Sequence, residues 1–329
     1  MPVSPSVKPA TSHDVARLAG VSRSTVSNIL NGNDARFPSA TRQKVLDAAR
    51  ELDYRPSLAA RSLVSGRSDT VIVLLPNTTF GGNLQDAVDE AVSATMPLGG
   101  NVVVRFAGET PKATYDAINA LRPLAVLAFS PLTPAHRSAL ESAGTIVVPG
   151  TEPSANPAQL PDGGVGQMQA DLLLRSGPRQ LWFAALSDRR QDIYGPGRLA
   201  ALEQYCQERD LPAPKRVAVP LTVDGATAAL EKMLDGDTRV GVACYNDDVA
   251  LALLSAARRM GVVVPDRLSI VGVDHTPVAQ LWSPRLTTID TDLRGLVADY
   301  SSELRIRLSG GEHMAPAPHR FTVVEGETT

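Results

Sequence analysis

Two short helices joined by a glycine turn are encoded in residues 11–31, TSHDVARLAGVSRSTVSNILN, and this segment most constrains the fold. Thr11 followed by Asp14 is a capping box, which predicts the start of the first helix. Gly20 predicts its end, because a left-handed residue is needed there, and Ser22 is expected to cap the second helix. Apolar spacing predicts the buried residues to be Val15, Leu18 and Ala19 on the first helix, and Val26, Ile29 and Leu30 on the second.

The opposite face of the second helix has the chemistry of base recognition. Short or forked hydrogen-bonding side chains are suited to base edges in a major groove, and here they are Arg23, Ser24, Ser27 and Asn28. A generic amphipathic helix pair is the alternative. A third helix over about 38–52 would close the small core with Val45, Ala48, Ala49 and Leu52. The pattern therefore predicts a helix-turn-helix DNA-binding head.

A proline-led segment, YRPSLAARSLVSGR at 54–67, follows the third helix. Pro56 forces an extended entry, Ser57 can cap a helix and Gly66 can end it. The helix between them has only about two turns, and isolated helices that short are marginal in water. We therefore expect this segment to become helical only with a partner.

Three sequence stretches closely resemble the DNA-binding domain and hinge helix of the lactose-repressor/galactose-repressor (LacI/GalR) family. They are DVARLAGVSRSTVSNILNGN, TRQKV and YRPSLAARSLVSGRS, and weaker matches continue at CYNDDVAL, LSIVGVD and SPRLTTI. The resemblance implies a homodimeric transcription regulator of the repressor type. Such a protein binds a near-palindromic operator in double-stranded DNA, and a small-molecule effector controls its affinity.

The resemblance also assigns the DNA contacts. It implies that bases are contacted by Arg23, Ser24 and Asn28. It implies that phosphates are held by Thr11, Ser22, Thr25, Ser27 and Asn31. Tyr54 and Arg61 add further DNA contacts, and paired hinge helices enter the minor groove with Leu63 wedged between base steps.

Charge and strand pattern divide the rest of the chain. Residues 1–67 carry ten Lys and Arg against five Asp and Glu, and the remainder carries 22 against 30. A basic head on an acidic body fits a DNA-binding end, although a charge imbalance can also be only solvated surface. Apolar runs alternating with helical patterns predict an α/β fold with parallel sheets. These runs are at 71–75, 102–106, 124–129, 145–148, 180–185, 216–219, 239–244 and 268–273.

The resemblance implies how these sheets are arranged: a bilobed core of two doubly wound parallel sheets, like periplasmic binding proteins. The expected division is a disordered arm at 1–10, a head at 11–56, a hinge helix and linker at 57–67, and a core at 68–329. Within the core, the N-subdomain would comprise 68–152 and 290–312, and the C-subdomain 153–289 and 313–329.

Ligands of open α/β sheets bind at the carboxyl ends of strands. Asn246 ends one predicted strand and Asp274 ends the next, although both could merely cap the following helices. The resemblance implies that they hydrogen-bond effector hydroxyls, with Asn77 and Phe80 facing them across the cleft. Tyr194 stands where relatives usually carry an arginine, a role that Arg189 or Arg190 could fill. We expect a sugar or related metabolite that has an apolar or aromatic face.

Other functional classes find little support in the sequence. Gly163-Gly164-Val165-Gly166 lacks the strand context of a nucleotide-binding loop, the five histidines have no metal-ligand spacing, and no cofactor motif is present. No apolar run is long enough to cross a membrane, and we expect no secretory signal because the first ten residues lack an apolar stretch. Cys206 and Cys244 occur in different contexts, so we expect no disulfide. We therefore expect a cytoplasmic protein that is not an enzyme. The alternative functions are an enzyme on an α/β scaffold and a ligand sensor without effective DNA control.

Trp282 could lie in a dimer interface or in the local core.

Overall fold

The computed structural model describes residues 10–30, 34–54, 68–77, 83–96, 101–108, 110–150, 163–187, 194–234, 236–311 and 321–329. The chain forms two compact units. The first comprises Met1–Asp69 and Leu121–Leu124, and the second comprises Thr70–Ala120 and Ala125–Thr329. They are called the head and the core below.

The head contains helices α1 (Ser12–Ala19), α2 (Arg23–Leu30) and α3 (Ser39–Glu51). The capping box is present, because the amide of Thr11 donates to Asp14 Oδ2 at 3.0 Å and the amide of Asp14 donates to Thr11 Oγ1 at 3.4 Å. Gly20 ends α1 at a φ of 66°. The amide of Thr25 donates to Ser22 Oγ at 3.1 Å. All three local predictions are confirmed.

The small core of the head differs from the prediction at one position. Leu18 is 47% exposed, whereas Ala16 is buried. Helix α1 contacts both α2 and α3, so its buried face is turned toward Ala16 and away from Leu18. Five of the residues predicted for the core on α2 and α3 are buried, whereas Leu30 and Leu52 are partly buried against them, as Ala19 of α1 is. The apolar core of the head, among the described residues, consists of Val15, Ala16, Val26, Ile29, Val45, Ala48 and Ala49.

The first sheet of the core has the strand order β2-β1-β3-β4, with every pair parallel. Its strands are β1 (Thr70–Leu75), β2 (Asn101–Phe106), β3 (Ala125–Ala128) and β4 (Ile146–Val148). Helices α4 (Asn83–Thr95), α5 (Pro111–Ala120) and α6 (Pro134–Ser142) alternate with them. Strand β2 lies at one edge, and most of its residues are exposed.

The second sheet has the order β10-β9-β8-β7-β5-β6, and among the described strands only the β9–β10 pair is antiparallel. The strands are β5 (Gln180–Leu186), β6 (Lys215–Val219), β7 (Val240–Cys244), β8 (Leu268–Val273), β9 (Thr287–Asp290) and β10 (Thr322–Val324). The helices are α7 (Gly163–Leu174), α8 (Gly195–Glu208), α9 (Val223–Met233), α10 (Asp247–Met260), α11 (Pro277–Leu281) and α12 (Leu293–Leu308). The predicted α/β class with parallel sheets is confirmed.

The chain returns to the first sheet after β9. Helix α12 packs against α4, β3 and β4, and Arg294 forms an ion pair with Glu90 of α4 at 3.4 Å. The amide of Gly150 donates to the buried Glu303 of α12 at 3.0 Å. Residues 287–293 therefore connect the second sheet with the helical layer of the first.

The glycine-rich segment 163–166 begins α7. A Cβ added to Gly166 would lie 2.2 Å from the carbonyl oxygen of Arg198 in α8. The glycine is therefore explained by the close approach of α7 and α8, which leaves no room for a side chain.

Candidate functional site

The start of α2 carries a cluster of hydroxyl groups. Ser22 Oγ lies 2.8 Å from both Ser24 Oγ and Thr25 Oγ1, and Asn28 Nδ2 donates to the carbonyl of Ser24 at 2.7 Å. Arg23 and Ser24 are exposed, whereas Ser27 and Asn28 are half-buried. Val26 and Ile29 anchor the opposite face in the core of the head. The helix thus holds short polar side chains and one guanidinium on a single outer face.

Other predicted DNA-contact residues have structural partners in the head. The hydroxyl of Thr11 donates to Asp14 at 2.7 Å, and this hydrogen bond is the main cause that lowers the pKa of the Asp14 carboxyl. Tyr54 is half-buried against the core of the head, so it stabilises the fold whatever else it contacts. Asn31, Arg61 and Leu63 lie outside the described residues.

Arg36, in the turn that precedes α3, is not among the DNA-contact residues predicted from the sequence. Its guanidinium carbon lies 5.1 Å from the centroid of the Phe37 ring, and the residue is exposed. The nearby Asp34 is paired with Arg42 at 3.2 Å. Arg36 therefore adds positive charge to the surface of the head.

The second candidate site lies at the carboxyl edge of the six-stranded sheet. Strands β5, β7, β8 and β9 are consecutive parallel neighbours in the order β9-β8-β7-β5, so the residues that follow them meet at one edge. Asn246 follows β7 and Asp274 follows β8, as the sequence predicts. The Asp274 amide donates to the carbonyl of Ile289 in β9 at 2.9 Å. This edge therefore carries the polar side chains expected of a ligand site.

Asn246 and Asp274 differ in their local roles. Asn246 is 1% exposed and caps α10, because its Oδ1 accepts from the amide of Val249 at 3.0 Å. The structural alternative raised for Asn246, a helix cap, is therefore observed. Asp274 is half-buried and does not cap α11, whose N-cap is Thr276.

An arginine that sequence reasoning missed lies beside Tyr194. Arg198 of α8 is 4% exposed, and its guanidinium carbon lies 5.4 Å from the ring centroid of Tyr194 and 5.3 Å from that of Tyr245. It also donates a hydrogen bond to the carbonyl of Tyr245. Tyr194 is the N-cap of α8, so this arginine comes one helical turn after the position where the sequence analysis sought one. That spacing is the signal that could have identified it.

Asp247 is a buried carboxylate at the same edge. It accepts from the amide and hydroxyl of Thr276 at 2.7 and 3.0 Å, and from the hydroxyl of Thr288 at 2.6 Å. Burial raises its pKa to about 6, although these hydrogen bonds favour the charged form. Beside it, His275 Nδ1 lies 3.1 Å from Asp290 Oδ2.

The first sheet offers fewer described groups at its carboxyl edge. Asn77 follows β1 and is exposed, whereas Phe80 lies outside the described residues. Phe129 follows β3, and its ring stacks on that of Tyr300 with centroids 4.7 Å apart. Burial raises the pKa of Tyr300 to about 12, so its phenol is neutral. Sequence reasoning did not identify this aromatic pair.

The described part of the chain contains no cluster of three or more His, Cys, Asp and Glu residues that could hold a metal ion. No helix in the same ranges is long and apolar enough to cross a membrane. Cys206 and Cys244 are both free and buried, and burial raises the pKa of each thiol.

Solved structures share this fold over nearly the whole chain. A LacI-family transcriptional regulator from Silicibacter pomeroyi superimposes with a TM-score of 0.78 at 21% identity, covering 97% of this chain and 99% of that one. The Lac repressor dimer bound to operator and the anti-inducer ONPF gives a TM-score of 0.73 at 23% identity, covering 98% and 99%. At these identities the likeness concerns the fold.

Family models and sequence relatives identify the chain. The model of bacterial regulatory proteins of the lacI family matches residues 11–57, and that of the periplasmic binding protein-like domain matches 170–329. The transcriptional repressor PurR of Vibrio cholerae serotype O1 is 30% identical, covering 92% of this chain and 93% of the relative. The regulator GalS of Salmonella typhimurium is 30% identical over 94% and 93%, and DegA of Bacillus subtilis 27% over 88% of each. The chain therefore belongs to the lacI family of bacterial regulatory proteins, whose members are transcription regulators rather than enzymes.

Proposed function

We propose that the chain is a sequence-specific transcription repressor whose operator affinity is controlled by a small-molecule effector bound in the core. The observation that carries the proposal is the outer face of α2, where Arg23 and Ser24 are exposed while Val26 and Ile29 fix the helix to the head. The relatives PurR and GalS are named as a transcriptional repressor and a transcriptional regulator. A sensor without DNA control is less favoured, because its head would not need this polar face.

Base recognition is assigned to Arg23, Ser24 and Asn28, and phosphate contacts to Thr11, Ser22, Thr25, Ser27 and Asn31. A guanidinium can form two hydrogen bonds with guanine, which is worth about 1–3 kcal/mol of discrimination. We expect Arg23→Ala to relax the preference at one symmetric pair of operator positions. Selection of binding sites from random DNA measures the effect.

Thr25→Ala provides the matched control for Arg23→Ala. The Thr25 hydroxyl lies next to Ser22 at the start of α2, and a phosphate contact from it would carry no sequence information. We expect this variant to weaken binding to all sequences alike. An unchanged consensus with Arg23→Ala would show that Arg23 does not contact a base.

The effector site is assigned to the carboxyl edge of the six-stranded sheet together with residues that follow β1 of the first sheet. Asn77, Phe80, Tyr194, Asn246 and Asp274 remain the proposed contacts, and the aromatic ring of Tyr194 supports a ligand with a flat or apolar face. A sugar or related metabolite fits these groups. The transcriptional regulator CelR, whose fold is similar, has been solved in complex with cellobiose.

Removing the Asp274 carboxylate tests this site. We expect Asp274→Ala to lower effector affinity by about 1–3 kcal/mol, because a ligand hydroxyl loses its acceptor, and to leave ligand-free DNA binding unchanged. Calorimetry of both proteins against a panel of mono- and disaccharides, including cellobiose, is the measurement. Equal affinity of both proteins for a bound compound would place the effector site elsewhere.

A homodimer is part of the proposal, and exposed apolar residues of the core support it. Leu281 at the end of α11 is 86% exposed and Val278 is exposed beside it, whereas Trp282 packs partly against the core of the second sheet. Phe106 and neighbouring valines of the edge strand β2 are also exposed. A second copy that covers these residues would remove apolar surface from water.

A charge at position 281 tests the dimer. We expect Leu281→Glu to raise the dimer dissociation constant about tenfold or more, because a carboxylate would be buried in the interface. Leu221→Glu, at another exposed leucine of the core, is the control and should have no effect. Sedimentation equilibrium distinguishes the two. A dimer unaffected by Leu281→Glu would exclude α11 from the interface.

The remaining assignments complete the proposal. The division into arm, head, hinge, N-subdomain and C-subdomain is kept with the boundaries given above, and the packing of α12 on the first sheet supports the assignment of 290–312 to the N-subdomain. The whole hinge segment, 57–67, and residues 1–9 of the arm lie outside the described residues. DNA as a partner supports a cytoplasmic location.

A further inference from the structure

The Asp247 carboxylate joins three segments that are distant in sequence. Its Oδ2 accepts from the amide and hydroxyl of Thr276, 29 residues away, and its Oδ1 accepts from the hydroxyl of Thr288, 41 residues away. Asp247 belongs to the first turn of α10, Thr276 to the turn after β8, and Thr288 to β9. One buried side chain therefore holds the beginning of α10, the turn at 274–276 and strand β9 together.

The turn between β8 and α11 needs such a restraint. Asp274 has a φ of 103° and His275 a φ of 51°, both in the left-handed region that residues with a Cβ disfavour. Such conformations persist only when surrounding contacts hold them. Here the Asp274 amide donates to Ile289, and the His275 amide donates to Thr288 Oγ1 at 3.4 Å. Asp247 accepts hydrogen bonds from Thr288 and from Thr276, the residue that follows His275 in the turn.

Gly272 in β8 provides the space that the carboxylate occupies. A Cβ added there would lie 2.2 Å from Asp247 Oδ1 and 2.8 Å from Leu286 Cδ2. Its φ is not in the left-handed region, so its conformation does not explain why a glycine is present. The glycine is explained by the position of the Asp247 side chain. The observed position of the Asp247 carboxylate therefore requires a residue without a side chain at position 272.

We propose that Asp247 is a positioning residue for the effector site, because it anchors the turn that holds Asp274 at the carboxyl edge of the sheet. The inference rests on the effector role proposed for Asp274. Asp247 itself is directed to Thr276 and Thr288 and needs no contact with the effector. Loss of the anchor would release Asp274 and His275 from their disfavoured conformations.

Amide hydrogen exchange in the full-length protein without ligand tests the anchor. We expect the Thr276 amide to exchange about tenfold faster in Asp247→Ala, which removes its acceptor. Gly272→Ala should have the same effect, since it displaces the carboxylate without removing it. In Asp247→Asn the Thr276 amide should exchange as slowly as in the wild type, because the asparagine oxygen accepts from Thr276 and its NH₂ donates to Thr288. Asp248→Asn is the neighbouring control. Unchanged exchange in both Asp247→Ala and Gly272→Ala would overturn the proposal.

A double-mutant cycle tests whether Asp247 acts through Asp274. The probe is the saccharide of the calorimetry panel that binds the wild type most tightly. We expect Asp247→Ala to weaken its binding about tenfold, but less than about twofold when Asp274→Ala is already present. A purely structural role would give the same loss in both backgrounds, and that result would overturn the positioning role. Equal binding of the probe by Asp274→Ala and wild type would instead refute the proposed effector site. In that case the exchange experiment would still test whether Asp247 holds the turn at 274–276.

Discussion

Replacing Val45 with Asn is expected to unfold the head and to reduce specific DNA binding at least about tenfold. Val45 lies on α3 and is fully buried among the few apolar residues of the head. The substitution removes apolar contacts and buries an amide without a partner, at a cost of about 2–5 kcal/mol. A unit this small has little stability in reserve, because it buries a smaller fraction of its surface than a large domain.

The neighbouring residue provides a control for Val45→Asn. Leu46 is 42% exposed on the same helix, so Leu46→Asn adds the same amide to solvent. We expect it to change stability by less than about 0.5 kcal/mol. Amide exchange of the head, the melting of the core and the affinity for selected operator DNA are to be measured together. If Val45→Asn kept its DNA binding, or if it also abolished the thermal transition of the core, the head would not have a small apolar core of its own.

Replacing Asp247 with Asn is expected to stabilise the core above about pH 6. Burial raises the pKa of Asp247 from 3.8 to about 6, so the folded protein binds more protons than the unfolded chain between these values. The contribution of Asp247 to the free energy of unfolding therefore falls as pH rises through this range. The loss reaches about 3 kcal/mol once the carboxyl is ionised. Asparagine has no charge to bury and keeps the hydrogen-bonding partners.

Urea unfolding of wild type and Asp247→Asn between about pH 4 and 8 measures this effect. The stability difference in favour of the variant should be largest above pH 6 and should shrink as the pH approaches 4. Asp248→Asn, one residue further along α10, is the comparison variant, and it should only weaken the pH dependence, because the Asp248 charge is the smallest of the causes that shift the Asp247 pKa. Parallel pH curves for wild type and Asp247→Asn would show that the Asp247 carboxyl titrates alike in the folded and unfolded states.

Local elements of this protein could be predicted because short-range rules decide them. The capping box of Thr11 and Asp14, the left-handed Gly20 and the apolar runs of the sheets depend on residues within a few positions of each other. The polar face of α2 follows from the same periodicity. The sequence was therefore sufficient to predict a helix-turn-helix head, parallel sheets and the strand ends that carry Asn246 and Asp274.

Contacts between distant segments could not be predicted in this way. The exposure of Leu18 depends on how α1 packs against two other helices. The hydrogen bond that Arg198 of α8 donates to the carbonyl of Tyr245, 47 residues further along the chain, forms only when α8 meets the end of β7.

The sequence by itself determined the helices and strands, the polar face of α2 and the family resemblance, because each depends on neighbouring residues. Only the tertiary structure decided which polar groups meet, as in the contacts of Asp247 with Thr276 and Thr288. The reason is physical: burial desolvates a carboxylate, and only the folded arrangement supplies the donors that make its burial tolerable.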